Sequence, residues 1–123
     1  MTSNENIVVG EGNAPLLTFQ GKTQLADGSL VPYLLSGAPA IVMVAKLSRN
    51  DVDGSAVFTY SIALGQIAIT ADGTVVGAKY SEFTVQVVAA DTAVPRNLFY
   101  RIDVVKAGKP DTIKKGYFLI ENT

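Results

Sequence analysis

The sequence contains no cysteine, no histidine and no tryptophan. Without cysteine there is no disulfide scaffold, no thiolate metal site, no cysteine nucleophile and no thiol redox chemistry. Without histidine, the commonest general base and the commonest transition-metal ligand are both missing. Charge is sparse and balanced: ten Lys plus Arg stand against eleven Asp plus Glu, for a formal net charge of -1. A pI of 5.2 lacks the basic excess of a nucleic-acid binder. Long apolar runs are also absent. The stretch from Ala38 to Ala45 is interrupted by Pro39 and falls far short of the roughly 20 residues that span a bilayer. Met1 to Asn6 carries no Lys or Arg and leads only into Ile7-Val8-Val9, so no secretory leader is expected. The expectation is a protein made in a cytoplasm and not inserted in a membrane.

What the 123 residues do contain is β-forming chemistry. Val, Ile and Thr account for 33 of them, and five Tyr and five Phe add to the preference for a pleated, half-buried surface. Eleven Gly and five Pro divide the chain at short intervals, which fits a sandwich or barrel. No segment sustains helical apolar spacing over a dozen residues. Strands are expected at Leu16 to Phe19, Leu30 to Leu35 (an edge, because of Pro32), Ile41 to Leu47, Val57 to Ile62 and Gln66 to Thr70. Asp72-Gly73 signals a hairpin into Thr74-Val75-Val76. Phe83 to Val87 and Leu98 to Val104 alternate, with Phe83, Val85, Val87, Leu98, Tyr100, Ile102 and Val104 facing inward. Gly108 to Asp111 turns the chain into a last strand, Thr112 to Ile120. The fold expected is all-β: a single antiparallel β-sandwich with the strand density of an immunoglobulin-like domain.

The first residues stand apart. Gly10 to Pro15 is a break, and Ile7-Val8-Val9 before it reads either as a short edge strand of the same domain or as an arm lent to a neighbour. The division expected is an N-terminal arm, residues 1–14, and a β-sandwich domain, residues 15–123. The arm together with the first strand, through Ile7, Val8, Val9, Leu16 and Leu17, is the expected assembly interface.

Motifs of chemistry are incomplete. Aligned on Gly54, the turn Asn50 to Gly54 lacks the leading Asp and closing Glu of a calcium loop. Gly10-Glu11-Gly12 lacks a third glycine, and Gly21-Lys22-Thr23 follows Leu17 where a phosphate loop needs Gly. Asp51, Asp53, Asp91 and Asp103 are the candidate carboxylates; three lie in turns, and Asp103 sits beside Arg101 on an outward face. Lys106, Lys109, Lys114 and Lys115 read as solvated lysines guarding a hairpin edge. Phe58, Tyr60, Tyr100 and Tyr117 fall at core-facing spacing, and no Trp is present to build an exposed sugar platform. No catalytic, metal-ligating or cofactor-binding residue is expected.

The order of features carries a family likeness. Leu35-Ser36-Gly37-Ala38 leads into the apolar strand at Ile41, Tyr100-Arg101-Ile102-Asp103-Val104 precedes a hairpin, and Gly116-Tyr117-Phe118-Leu119-Ile120 closes the chain. This resembles the immunoglobulin-like domain at the N-terminus of phage baseplate upper proteins and related modules of tailed-phage structural proteins. The resemblance implies a non-enzymatic virion component of the baseplate, tail or neck that acts by assembly, with other virion proteins and copies of itself as partners. A capsid decoration protein and a carbohydrate- or host-surface-binding module are the competing expectations.

Overall fold

Alternating apolar residues and turn-forming punctuation fold into ten strands in the computed structural model of the chain, which describes residues 3–37 and 39–122. They are β1 (Ser3–Asn4), β2 (Ile7–Gly10), β3 (Leu16–Gln24), β4 (Leu30–Pro32), β5 (Ala40–Lys46), β6 (Phe58–Ser61), β7 (Ile67–Ala71), β8 (Ser81–Gln86), β9 (Arg96–Lys106) and β10 (Lys109–Glu121). Two short 3-10 turns, Asp53–Ser55 and Ala89–Thr92, are the helical segments among the described residues. None is long and apolar enough to cross a membrane. The protein is all-β with two sheets. The larger runs β10-β9-β5-β6, with β1 and β2 both on the outer edge of β10, and the smaller runs β4-β3-β8-β7.

The core lies between the sheets. From the large sheet come Ile41, Met43, Ala45, Phe58, Tyr60, Leu98, Tyr100, Ile102, Val104, Phe118 and Ile120; the small sheet contributes Phe19, Ile67, Phe83 and Val85. The inward faces expected for β8 and β9 are observed, with Phe83, Val85, Leu98, Ile102 and Val104 fully covered. Phe19 stacks on Phe83 at 5.4 Å, while Phe58 meets Phe118 edge-on at 5.4 Å, both favourable ring geometries.

Several boundaries differ from expectation for identifiable reasons. β3 continues past Phe19 because Gly21 is a close-approach position: a Cβ there would lie 2.6 Å from the Ser81 hydroxyl. β4 stops at Pro32, whose missing N–H suits its edge position. Thr74 to Val76 form no strand. The Asp72 carboxylate accepts hydrogen bonds from the Thr74 backbone N–H (3.0 Å) and hydroxyl (2.6 Å), a local turn that competes with strand pairing. Val75 and Val76 are left exposed at the tip of the β7–β8 connection. The last hairpin turns earlier than expected, at Ala107-Gly108, where both residues have positive φ (51° and 77°) as a two-residue type I′ turn requires.

The largest correction concerns the arm and the antiparallel description. Residues 3–10 lie on their own domain. β1 and β2 run parallel to β10, pairing Ser3 with Lys114 and Ile7 with Phe118, and every other ladder is antiparallel. Ile7 and Val9 enter the core, with Val9 only 3% exposed. The physical reason is periodicity: in a strand, alternate residues share a face, so a triplet placed beside β10 buries its first and third members. The segment between β1 and β2 is tied down as well. The Glu5 carbonyl accepts the Tyr100 hydroxyl (2.5 Å), and the Glu5 carboxylate pairs with Lys114 at 2.7 Å. A side chain at Gly116 would overlap the Glu5 carbonyl, so this strand needs glycine where the N-terminal segment crosses it.

Candidate functional site

The outer face of the large sheet is built by the residues that alternate away from the core. Two of its cross-strand rows build the site. One is Val44, Arg101, Lys115 and Asn4; the other is Lys46, Phe99 and Tyr117. With Arg49, from the segment after β5, and Asn6, before β2, they line a hollow of about 430 Å³. Phe99 and Tyr117 stand 4.8 Å apart with ring planes inclined at 45°. The Arg49 guanidinium lies 5.0 Å from the Phe99 ring centre and 6.0 Å from that of Tyr117, a cation held by two negative ring faces. Asn6 Oδ1 accepts the Tyr117 backbone N–H at 3.1 Å.

Beside the rings lies an ionic network. Asp53 pairs with Lys46 and Arg101, both at 2.7 Å, and Arg101 also contacts Asp103 at 2.8 Å. Asp103 accepts the Thr112 hydroxyl at 2.6 Å. Hydrogen bonds first from Arg101 and then from Lys46 stabilise the Asp53 carboxylate and hold its pKa at about 2. Asp103 leaves β9 on the outward side, as expected, but it is buried there, and its partners are Arg101 on the same strand and Thr112 across the ladder, with no cross-strand lysine among the described residues.

Tyr117 and Lys114 stand where that reading did not put them. Tyr117 and Phe118 are neighbours on one strand and cannot both face the core; Phe118 is opposite Leu98 and takes the interior, which leaves Tyr117 39% exposed. A register shift between Thr112 and Lys114 sets this phase. It also turns Lys114 inward, 6% exposed, opposite Ile102. There it closes the seam between the sheets with Glu5, bordering a second hollow of about 300 Å³ beside Gln20 and Tyr33. β10 is therefore no bare edge. Of the four lysines, Lys106 reaches the Leu34 carbonyl and the face of Tyr33, and Lys115 lies at the rim of the large hollow. Phe58, Tyr60 and Tyr100 are core residues, as expected. Burial first, and then the nearby Glu5 charge, push the Tyr100 phenol above its ordinary range.

The residues expected to make an assembly surface divide. Ile7 and Val9 are core, whereas Val8 and Leu16 are exposed at 57% and 60%, and Leu17 is half-buried against the core. Val8 belongs to the large sheet and Leu16 to the small one. The candidate carboxylates hold structure together. Asp51 accepts the Ser48 backbone N–H (3.2 Å) and Asp91 the Tyr60 hydroxyl (2.8 Å). Among the described residues no three His, Cys, Asp or Glu side chains group so as to hold a metal ion.

Phe99, Arg49, Asn4 and Asn6 escaped the sequence reading. The available signal was Phe99 itself, an aromatic at an outward position of an alternating strand, next to Arg101. No protein-family model matches the chain, and no curated protein shows significant similarity to it.

Proposed function

We propose that the chain is a non-enzymatic, immunoglobulin-like structural module of a tailed-phage particle, acting by assembly with copies of itself and with other virion proteins. The observation that carries the reading is an apolar end. Leu25, Leu30, Leu34, Val75, Val76 and Tyr80 are all exposed where β3 and β7 end and β4 and β8 begin. Val76 is fully exposed. Scattered surface hydrophobics are ordinary, but six large ones gathered at one end mark a surface that another protein covers. The sheet order supports the immunoglobulin-like part of the reading: β2-β10-β9-β5-β6 faces β4-β3-β8-β7, with the first strand parallel to the last. The immobilised carboxylates, each engaged in an ion pair or hydrogen bond, favour a scaffold over a catalyst.

The test is to purify tailed particles from cultures expressing the chain and label them with gold-conjugated antibody against it. Label on the baseplate, tail or neck is expected. Label on the capsid shell alone would favour a decoration role instead, and particles free of the chain would overturn the virion assignment. Charging the apolar end with Val75→Lys and Val76→Lys should reduce incorporation while leaving the fold intact.

A further inference from the structure

We propose that the hollow on the outer face of the large sheet binds an acidic saccharide, the carboxylate of one sugar ring held between Arg49 and Lys115 and its C–H face laid on Tyr117. The charge count selects an anion. Four basic side chains line the hollow, Lys46, Arg49, Arg101 and Lys115. Asp53 and Asp103 neutralise two of them, Lys46 and Arg101. Arg49 contacts rings, and Lys115 has no ion pair among the described residues. Two positive charges are left facing a concave surface, which concentrates anions.

Shape and polarity select the sugar. A hollow of about 430 Å³ lies in the range of small-ligand sites and holds one or two rings, too little to enclose an extended peptide. Phe99 and Tyr117 meet at 45°, an open wedge instead of the parallel slot that clasps a flat base. A puckered ring fits that wedge, and its polarised C–H groups are attracted to the negative face of Tyr117. Asn6 has its carbonyl oxygen engaged by Tyr117, which leaves its amide N–H groups for hydroxyl oxygens, and exposed Asn4 adds a second amide. Phe99, Lys115 and Tyr117 stand on the paired strands β9 and β10, and the neighbouring Lys46 and Arg101 are held by Asp53, so the floor of the hollow gains little order on binding.

Amide NMR of the whole chain, titrated with a trimer of linked uronic acids, tests this. Saturable shifts are expected at Phe99, Arg101, Lys115, Gly116 and Tyr117, weakening as salt is added. Arg49→Ala and Lys115→Ala should each weaken binding roughly tenfold by removing one charge-assisted contact. Lys109→Ala, at the distant hairpin turn, should leave it unchanged, and Tyr117→Phe should retain what Tyr117→Ala loses. Equal binding of the methyl-esterified, uncharged trimer would overturn the carboxylate assignment. Tighter binding of a nucleoside monophosphate or a tetraglutamate peptide at the same amides would overturn the saccharide assignment. The absence of saturable shifts up to about 10 mM trimer would overturn the site itself.

Discussion

Leu98, Tyr100, Ile102 and Val104 leave β9 toward the small sheet, while Phe99, Arg101 and Asp103 leave it toward the outside. The two sets occupy one strand in strict alternation, and β10 repeats the contrast with Phe118 and Tyr117. On the inner side shape decides, because every methyl group removed there leaves a void the fold has to absorb. On the outer side charge decides: aromatic rings, cations and carboxylates are arranged over a hollow that the core does not need. Function has room on the second face because stability is supplied by the first.

The contrast is sharpest where truncation removes buried volume. Ile102→Ala should cost about 2–5 kcal/mol in chemical denaturation, since Ile102 is fully covered in the middle of the large sheet. A loss below about 0.5 kcal/mol would mean that the inner face does not carry the fold. Next in size is Gly116→Ala. The added methyl collides with the Glu5 backbone, not with a side chain that can swing away, so about 1–3 kcal/mol should be lost. Loosened hydrogen-exchange protection at Ile7 to Gly10 would locate the damage at the N-terminal strands.

Val8 and Val9 offer the comparison within a single dipeptide. Val9→Ala should cost about 1–2 kcal/mol, and Val8→Ala under about 0.5, because only Val9 is buried. Equal losses would break the comparison. A small effect, confined to acid pH, belongs to the outer network. Asp53 has its folded-state pKa depressed from 3.8 to about 2, so its contribution is present above pH 4 and is lost as pH falls toward 2. Its side chain is 57% exposed, and solvent screening limits that contribution to under about 1 kcal/mol. Asp53→Asn should therefore flatten the stability profile between pH 4 and pH 2 and change little else.

Much of the fold was legible because inward residues alternate cleanly in β6, β8 and β9. Pro32 marked an edge, and the apolar run Ile41 to Leu47 read as a strand covered on both sides, although β5 ends at Lys46 and Leu47 is exposed. What stayed hidden was long-range. Nothing local in Ile7-Val8-Val9 says that its hydrogen-bonding partner is Phe118 to Ile120, more than a hundred residues away. The Gly10 to Pro15 break looks the same whether the strand before it docks at home or on a neighbour. The outer hollow was hidden for a related reason. Tyr117 and Phe118 are both aromatic, so composition permits either phase, and the register shift near Lys114 chooses between them. Arg49 joins the site only because the chain after β5 folds back over Phe99.

That choice of phase can be tested directly by equilibrium denaturation of Tyr117→Ala beside Phe118→Ala. The two residues are adjacent and both aromatic, and they stand on opposite faces of the same strand. Phe118→Ala should cost about 3–5 kcal/mol as a fully buried ring is removed. Tyr117→Ala should cost only about 1 kcal/mol, the value of its ring contact with Phe99. Comparable losses at the two positions would contradict the account, because Tyr117 would then belong to the core and the outer face would have no aromatic wall.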